Sequence, residues 1–237
     1  MPRFYIKEIS LQNNFRLPEN IVRHINVLRL KENTPIILFN GDGCEYHSVW
    51  RRENKREITA QVLSVEEINR ESPLSVTLIQ AVSTGERMDF TVQKSVELGA
   101  TKIVPVISER SQHLSGERAE KRVARWREII ISACEQSGRN RLPEITSVLS
   151  LSDALAQEKA DISFLLSPRG EKNMSNYKNT PQSLILLAGA EGGLSEEEEM
   201  LAVNAGFISC KLGKRILRTE TAAVAALSCV QTLWGDF

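Results

Sequence analysis

Polar and apolar residues alternate through the first seventy positions, and the rhythm changes near Ser72-Pro73. Residues 4–6 are short and apolar. Residues 35–39 form an apolar run that ends in Asn40-Gly41-Asp42-Gly43, and residues 45–50 and 57–63 alternate as half-buried strands do. Asn-Gly and Asp-Gly pairs favour the positive φ angles of tight hairpin turns. One helix is predicted over 18–30, with Ile21, Ile25 and Leu28 at helical spacing. The pattern predicts a small β-barrel or sandwich with one helix in residues 1–72.

Beyond that point strands alternate with helices. Strands are predicted over 74–82, 102–107, 162–166, 184–188 and 207–211, and helices over 86–98, 117–137, 153–157, 195–204 and 219–234. The helix at 117–137 sets Val123, Trp126, Ile130 and Ala133 on one stripe. The strands are apolar on both faces, so the expected second domain, 73–237, is α/β, a mostly parallel sheet with helices on both faces. In the last helix, ten of the thirteen residues from 222 to 234 are apolar. A surface helix needs only one apolar stripe, so this one is expected to be covered by its own sheet and by a second copy of the chain, as a homodimer.

Composition adds limits. The chain has 237 residues, 41% hydrophobic and 25% charged, as in a globular chain that buries a real core. No apolar run approaches the ~20 residues of a membrane span. Met1-Pro2-Arg3-Phe4-Tyr5 lacks the apolar core of a secretory leader, so a cytoplasmic location is expected. Cys44, Cys134, Cys210 and Cys229 lie far apart, and His24, His47 and His113 show no metal spacing. Neither a disulfide framework nor a metal is expected.

Lys and Arg balance Asp and Glu at 30 each, yet residues 110–141 carry eight basic against four acidic side chains, and residues 142–200 four against ten. A polyanion can be met by such a local patch. The candidates are Arg110, Arg118, Lys121, Arg122, Arg125 and Arg139, or the barrel cluster Arg51, Arg52, Lys55 and Arg56. On charge alone, a solvated face on the 117–137 helix is the simpler reading.

Open α/β sheets bind ligands beyond the carboxyl ends of their strands. Three such ends carry unusual sequence: Ser167-Pro168-Arg169-Gly170, Gly189-Ala190-Glu191-Gly192-Gly193 and Leu212-Gly213-Lys214-Arg215-Ile216-Leu217-Arg218. Ser195 with Glu198 forms a capping box, and the acidic run 196–199 suits the positive end of a helix. Those carboxylates argue against phosphate binding there. The first α/β strand runs into Ser83-Thr84-Gly85-Glu86-Arg87 rather than GxGxxG, which argues against a dehydrogenase, and neither a Walker A loop nor GxSxG occurs.

Gly189-Ala190-Glu191-Gly192-Gly193-Leu194-Ser195, followed by Leu212-Gly213-Lys214-Arg215-Ile216-Leu217-Arg218-Thr219-Glu220-Thr221-Ala222, resembles the cofactor-binding signature of SPOUT-class methyltransferases. More narrowly, it is similar to that of the bacterial small-subunit ribosomal RNA uridine-N3 methyltransferases. Glu86-Arg87-Met88-Asp89-Phe90, Ser108-Glu109-Arg110-Ser111 and Glu135-Gln136-Ser137-Gly138-Arg139 are similar too, so the resemblance spans nearly the whole chain. Ala190 and Lys214 stand where the family usually has proline.

The resemblance implies a PUA-like RNA-binding barrel, a carboxyl-terminal trefoil knot, S-adenosylmethionine as cofactor and pairing into homodimers. It implies methylation of uridine N3 in small-subunit ribosomal RNA, within the assembled particle. A methyltransferase for another RNA, or an RNA-binding module with a non-catalytic knotted domain, is the alternative. Leu166, Gly189, Gly192, Gly193, Leu212, Gly213, Ile216 and Leu217 are then the candidate cofactor slot. Arg218 is the candidate to bind uracil O2 or O4 as negative charge develops, with a helix salt bridge to Glu220 as the competing reading. Glu220 or Glu191 is the candidate proton acceptor.

Overall fold

A computed structural model of the chain describes residues 1–12, 14–54 and 57–237; Lys55 and Arg56, half of the basic barrel cluster, lie outside the described residues. Two compact units result, Met1–Glu71 with Cys134–Leu142, and Ser72–Ala133 with Pro143–Phe237.

The first unit contains β1 (Arg3–Tyr5), β2 (Phe15–Arg16), α1 (Glu19–Val27), β3 (Pro35–Phe39), β4 (Cys44–Asn54) and β5 (Glu57–Glu67), with sheet order β1-β3-β4-β5-β2. The predicted turn joins β3 and β4 as an antiparallel hairpin, with Gly41 at φ 98° and Gly43 at φ 100°. β1 joins β3 in parallel. Phe4, Leu17, Ile21, Ile25, Trp50 and Ile58 fill the core. The helix is shorter than predicted and stops at Val27, with Arg29 at φ 50° just beyond. Leu28 therefore leaves the apolar stripe and is 46% exposed, and Val22 is buried with Ile21 and Ile25 instead.

A linear division at residue 72 assigns 134–142 to the second domain, whereas this segment belongs to the first unit. Polar groups hold it there. Glu45, only 2% exposed, accepts hydrogen bonds from both Arg3 and Arg70. Arg3 also donates to the side chain of Asn140 and, at 3.1 Å, to the carbonyl of Gly138. Asn140 donates in turn to the carbonyl of Ile68 at 3.0 Å.

The second unit contains β6 (Ser75–Ala81), α2 (Gly85–Glu97), β7 (Lys102–Ile107), β8 (Glu144–Ile145), β9 (Leu149–Ser150), α4 (Leu151–Gln157), β10 (Ile162–Leu166), β11 (Ser183–Ala188), α5 (Glu196–Asn204), β12 (Ile208–Cys210) and α6 (Thr219–Trp234). The long helix α3 (Gly116–Ser137) lies in this unit up to Ala133, and its predicted stripe is buried. The strands are parallel, in the order β12-β10-β11-β6-β7-β8, with β9 also on β7. Leu78, Phe164 and Leu186 pack with Ala223, Leu227 and Val230 of α6; the alternate residues Ile79, Leu165 and Leu187 pack with Leu155 of α4 and Ala202 of α5. Helices thus cover both faces, as the doubly apolar strands require.

Burial alone would raise the pKa of Glu45, but the hydrogen bonds and charges of Arg3 and Arg70 outweigh it and hold the carboxyl below its ordinary value. A depressed folded pKa gives stability that is present above the unfolded value, ~4.3, and is lost as pH falls through the folded value. Glu45→Gln is expected to destabilise the chain by about 3 kcal/mol at pH 7. It should also flatten the acid limb of stability, read from urea midpoints between pH 3 and 7. An unchanged midpoint at pH 7 would mean that the arginines find other partners.

Candidate active site

β12, β10 and β11 are adjacent and parallel, so their carboxyl ends lie together at one edge of the sheet. A cavity of about 500 Å³ opens there, lined by Leu166 to Arg169, Ala188 to Leu194 and the chain from Leu212 to Thr219 excluding Lys214, with Arg87, Arg110 and Glu199 at its sides.

The middle segment is a tight turn. Gly193 N–H donates to the carbonyl of Ala190 at 2.9 Å. A Cβ on Gly189 would stand 2.9 Å from the carbonyl carbon of Gly193, so only glycine fits. Gly193 takes φ 69°, and a Cβ there would point into open space. Separate elements pin this turn. Arg110 donates to the carbonyl of Gly192 at 3.2 Å. Thr219 donates to the carbonyl of Gly189 at 2.5 Å.

Glu191 accepts from the hydroxyl of Thr84 at 2.6 Å and from its backbone N–H at 2.9 Å, and Arg87 lies 3.3 Å away. The carboxylate thus sits at the amino end of α2, where the helix dipole favours it. Burial would raise its pKa, but the two Thr84 hydrogen bonds, with help from the Arg87 charge, outweigh that and lower it. On the other side of the cavity, Glu199 accepts from Ser167 at 2.9 Å and pairs with Arg169 at 3.0 Å, and Arg169 also reaches Glu196 at 2.9 Å. The capping box of Ser195 and Glu198 forms as the sequence indicated.

The structure brings Leu166, Gly189, Gly192, Gly193, Leu212, Gly213, Ile216 and Leu217 to this one cavity, together with Glu191 and Arg218. Ile216 is nevertheless 84% exposed, so its side chain stands at the mouth rather than in a closed slot. Arg218 is the N-cap of α6, and its guanidinium has no hydrogen bond or ion pair among the described residues. Among the described residues no salt bridge joins it to Glu220. Glu220 lies on the first turn of α6, outside the lining, with Oε2 buried and without a hydrogen-bond partner among the described residues.

Arg110, a candidate for phosphate, lines the cavity instead of lying on a separate patch. Arg139 is buried, 5% exposed, and donates to Glu71 through Nε at 3.1 Å and through its terminal nitrogen; a guanidinium enclosed in this way is not presented to a polyanion. Arg118 is exposed without a partner among the described residues, Lys121 pairs with Glu117 at 2.8 Å, Arg125 pairs with Asp89 at 2.6 Å, and Arg122 is half-buried near Gly85. In the first unit Arg51 is exposed, while Arg52 lies over the Trp50 ring and donates to Asn26 at 2.7 Å. Arg87, Glu199 and Thr219 escaped the sequence reading of the site. Their signal lies in pairings across distant segments, which spacing does not reveal. Among the described residues no group of three or more His, Cys, Asp or Glu is placed to hold a metal ion, and no helix is long and apolar enough to cross a membrane.

A family model described as RNA methyltransferase domain matches residues 70–231, and one described as RNA methyltransferase PUA domain matches residues 17–63. The chain is 35% identical over 242 residues to the ribosomal RNA small subunit methyltransferase E of Buchnera aphidicola subsp. Schizaphis graminum, covering 100% of this chain and 98% of that one. Its identity to the Bacillus subtilis protein of the same name is 32%, over 100% of both chains. It is also similar to the crystal structure of ribosomal RNA small subunit methyltransferase E from Neisseria gonorrhoeae bound to S-adenosyl methionine, with TM-score 0.93 and 46% identity, covering 100% of this chain and 99% of that one.

Gly193→Val places a β-branched residue at positive φ and is expected to cost about 1–2 kcal/mol. Urea denaturation measures it; a variant as stable as the parent would show that the turn relaxes freely.

Proposed function

This chain belongs to the RNA methyltransferase family, and we propose that it transfers a methyl group from S-adenosylmethionine to N3 of a uridine in small-subunit ribosomal RNA, on the assembled subunit in the cytoplasm. The cavity suits that cofactor. Its volume of about 500 Å³ is that of a small-molecule site, Leu166, Leu212 and Leu217 offer an apolar surface to an uncharged heterocycle, and the space beside Gly193 is open. Leu166, Gly189, Gly192, Gly193, Leu212, Gly213, Ile216 and Leu217 would hold it. When bound, its sulfonium supplies the methyl group.

What remains for the chain is to prepare the acceptor. Uracil N3 carries a weakly acidic proton, and negative charge spreads to O2 and O4 as that proton leaves. The observation that carries this reading is Arg218, a guanidinium without a partner among the described residues on the wall of the cavity. A cation beside developing negative charge stabilises the transition state more than the ground state. Glu191, with its lowered pKa and its bonds to Thr84, is the weaker proton acceptor and is assigned instead to holding the glycine turn. Glu220 lies outside the cavity lining with Oε2 buried, so it too is set aside as the acceptor, and the role assigned to the chain is charge stabilisation by Arg218. Arg118 and Arg122 in the second unit, and Arg51 and Arg52 in the first, are assigned to RNA phosphates, which position the substrate without reading its sequence.

We also infer a trefoil knot in the carboxyl-terminal part. Supporting it, Ser167 N–H donates to the carbonyl of Cys210 at 2.9 Å, Lys211 N–H donates to that of Lys172 at 3.1 Å, and beyond β12 the chain returns to Gly189 at the end of β11. We infer likewise a homodimer through α6, which the sequence resemblance implies. Ala222 and Ala225 are half-buried and Cys229 and Leu233 exposed, on a face that does not join the buried Ala223, Ala226, Leu227 and Val230.

Methyl transfer from labelled S-adenosylmethionine to unmodified small subunits, followed by nucleoside analysis, tests the function; N3-methyluridine is expected. Arg218→Ala should lower kcat about 100-fold while cofactor affinity changes little. Transfer at the parent rate would reduce Arg218 to a helix cap, and cofactor binding without transfer to any RNA would favour a non-catalytic RNA-binding module.

Sedimentation at micromolar concentration is expected to give a dimer. A monomer with full activity would leave α6 as ordinary core.

A further inference from the structure

We infer that Thr219 and Gln80 act together as positioning residues, a buried hydroxyl and carboxamide that tie both cavity loops to the central strand of the sheet. This rests on the proposed function and deepens it. Gln80 is fully buried near the end of β6, beside Ala188 of β11 in the register, and Gly189 follows Ala188 directly. Its Nε2 lies 3.1 Å from the carbonyl of Gly189, 3.1 Å from the hydroxyl of Thr219 and 3.0 Å from the carbonyl of Ala81. The hydroxyl of Thr219 lies 2.5 Å from the carbonyl of Gly189.

Chemistry fixes the direction of each bond. A carbonyl only accepts, so the single hydroxyl proton of Thr219 goes to Gly189, and toward Gln80 the hydroxyl can only accept; the two N–H of Nε2 are shared among its three acceptors. The carboxamide cannot be turned over, because Oε1 would then face two carbonyl oxygens. Oε1 is accordingly buried and has no partner among the described residues. A buried acceptor without a partner is unfavourable, so the donors of Nε2 are what this side chain supplies.

The consequence lies in what these atoms join. Gly189 opens the glycine turn, and Thr219 is the first residue of α6, directly after Arg218. One hydroxyl therefore fixes the start of the turn on one side of the cavity and the end of the 212–218 loop on the other. Neither Thr219 nor Gln80 needs to touch the reacting atoms. They hold in place the groups that do, and a site preorganised in this way depends on such supporting hydrogen bonds.

The test separates the hydroxyl from the volume it fills. Thr219→Val keeps the branched shape and loses the hydroxyl; Thr219→Ser keeps the hydroxyl and loses the methyl. Affinity for S-adenosylmethionine is measured by calorimetry, and kcat and KM by methyl transfer. Thr219→Val is expected to weaken cofactor binding about tenfold and to lower kcat at saturating cofactor, whereas Thr219→Ser stays within about twofold of the parent on both. Parent-like binding and turnover in Thr219→Val overturn the inference, as does equal damage in Thr219→Ser. Should Thr219→Val not fold, Gln80→Glu decides: a buried carboxyl is a donor only when protonated, so its cofactor affinity should recover as pH falls from 8 to 6. A flat profile refutes the role. Failure of the parent itself to bind S-adenosylmethionine would remove the proposed function, and this inference with it.

Discussion

Where β11 ends, the backbone of Gly189 passes so close to Gly193 that a methyl group would stand 2.9 Å from a carbonyl carbon. The rest of the site depends on that closeness. Because the turn carries no side chain at positions 189, 192 and 193, its backbone can form one wall of the cavity. A bare glycine turn is also the most mobile kind of backbone, so it must be held from outside. The fold meets this need from three directions. Thr84 and Arg87 hold Glu191, Arg110 holds the carbonyl of Gly192, and Thr219 holds the carbonyl of Gly189. The parallel sheet makes the arrangement feasible, since it brings the carboxyl ends of β10, β11 and β12 to the same edge.

Charge follows a similar logic. The chain is neutral overall, yet many of its charges are committed before any ligand arrives. Glu198 closes a capping box and also accepts from the backbone N–H of Glu109 at 2.7 Å, while Glu196 and Glu199 hold Arg169. In the first unit the buried Glu45 engages Arg3 and Arg70, and Glu71 neutralises the buried Arg139. Against that background the guanidinium of Arg218, without a partner among the described residues, stands apart. A cation in a cavity wall with no partner among the described residues is available to whatever enters.

The fold was largely legible because its signals are local. Alternation marked β4 and β5, doubly apolar runs marked β6, β7, β10 and β11, and Ser195 with Glu198 marked the start of α5. The short strands β2, β8 and β9 carry too few residues to set a period, and they exist only through pairing with β5 and β7. The cavity lining was legible for the same local reason: glycine-rich chain following a buried strand. What could not be read were commitments between distant residues. Nothing near Arg139 in the sequence indicates Glu71, and nothing near Glu191 indicates Thr84. A residue type gives the chemistry a side chain can perform, but only its neighbours determine whether it is free to perform it.

The discontinuity of the first unit bears on the order of synthesis. Arg3 and Glu45 leave the ribosome early, but Gly138 and Asn140, which complete their buried network, emerge after more than half of the chain has been made. Until then the nascent amino-terminal sheet exposes polar groups that the finished protein encloses. Contacts of such long sequence separation slow folding, because a large loop must close before they form. Translation alone therefore cannot complete this unit from its amino terminus. The segment that completes it arrives at the end of α3, so the unit is finished only as the α/β sheet that neighbours it in the sequence is being built.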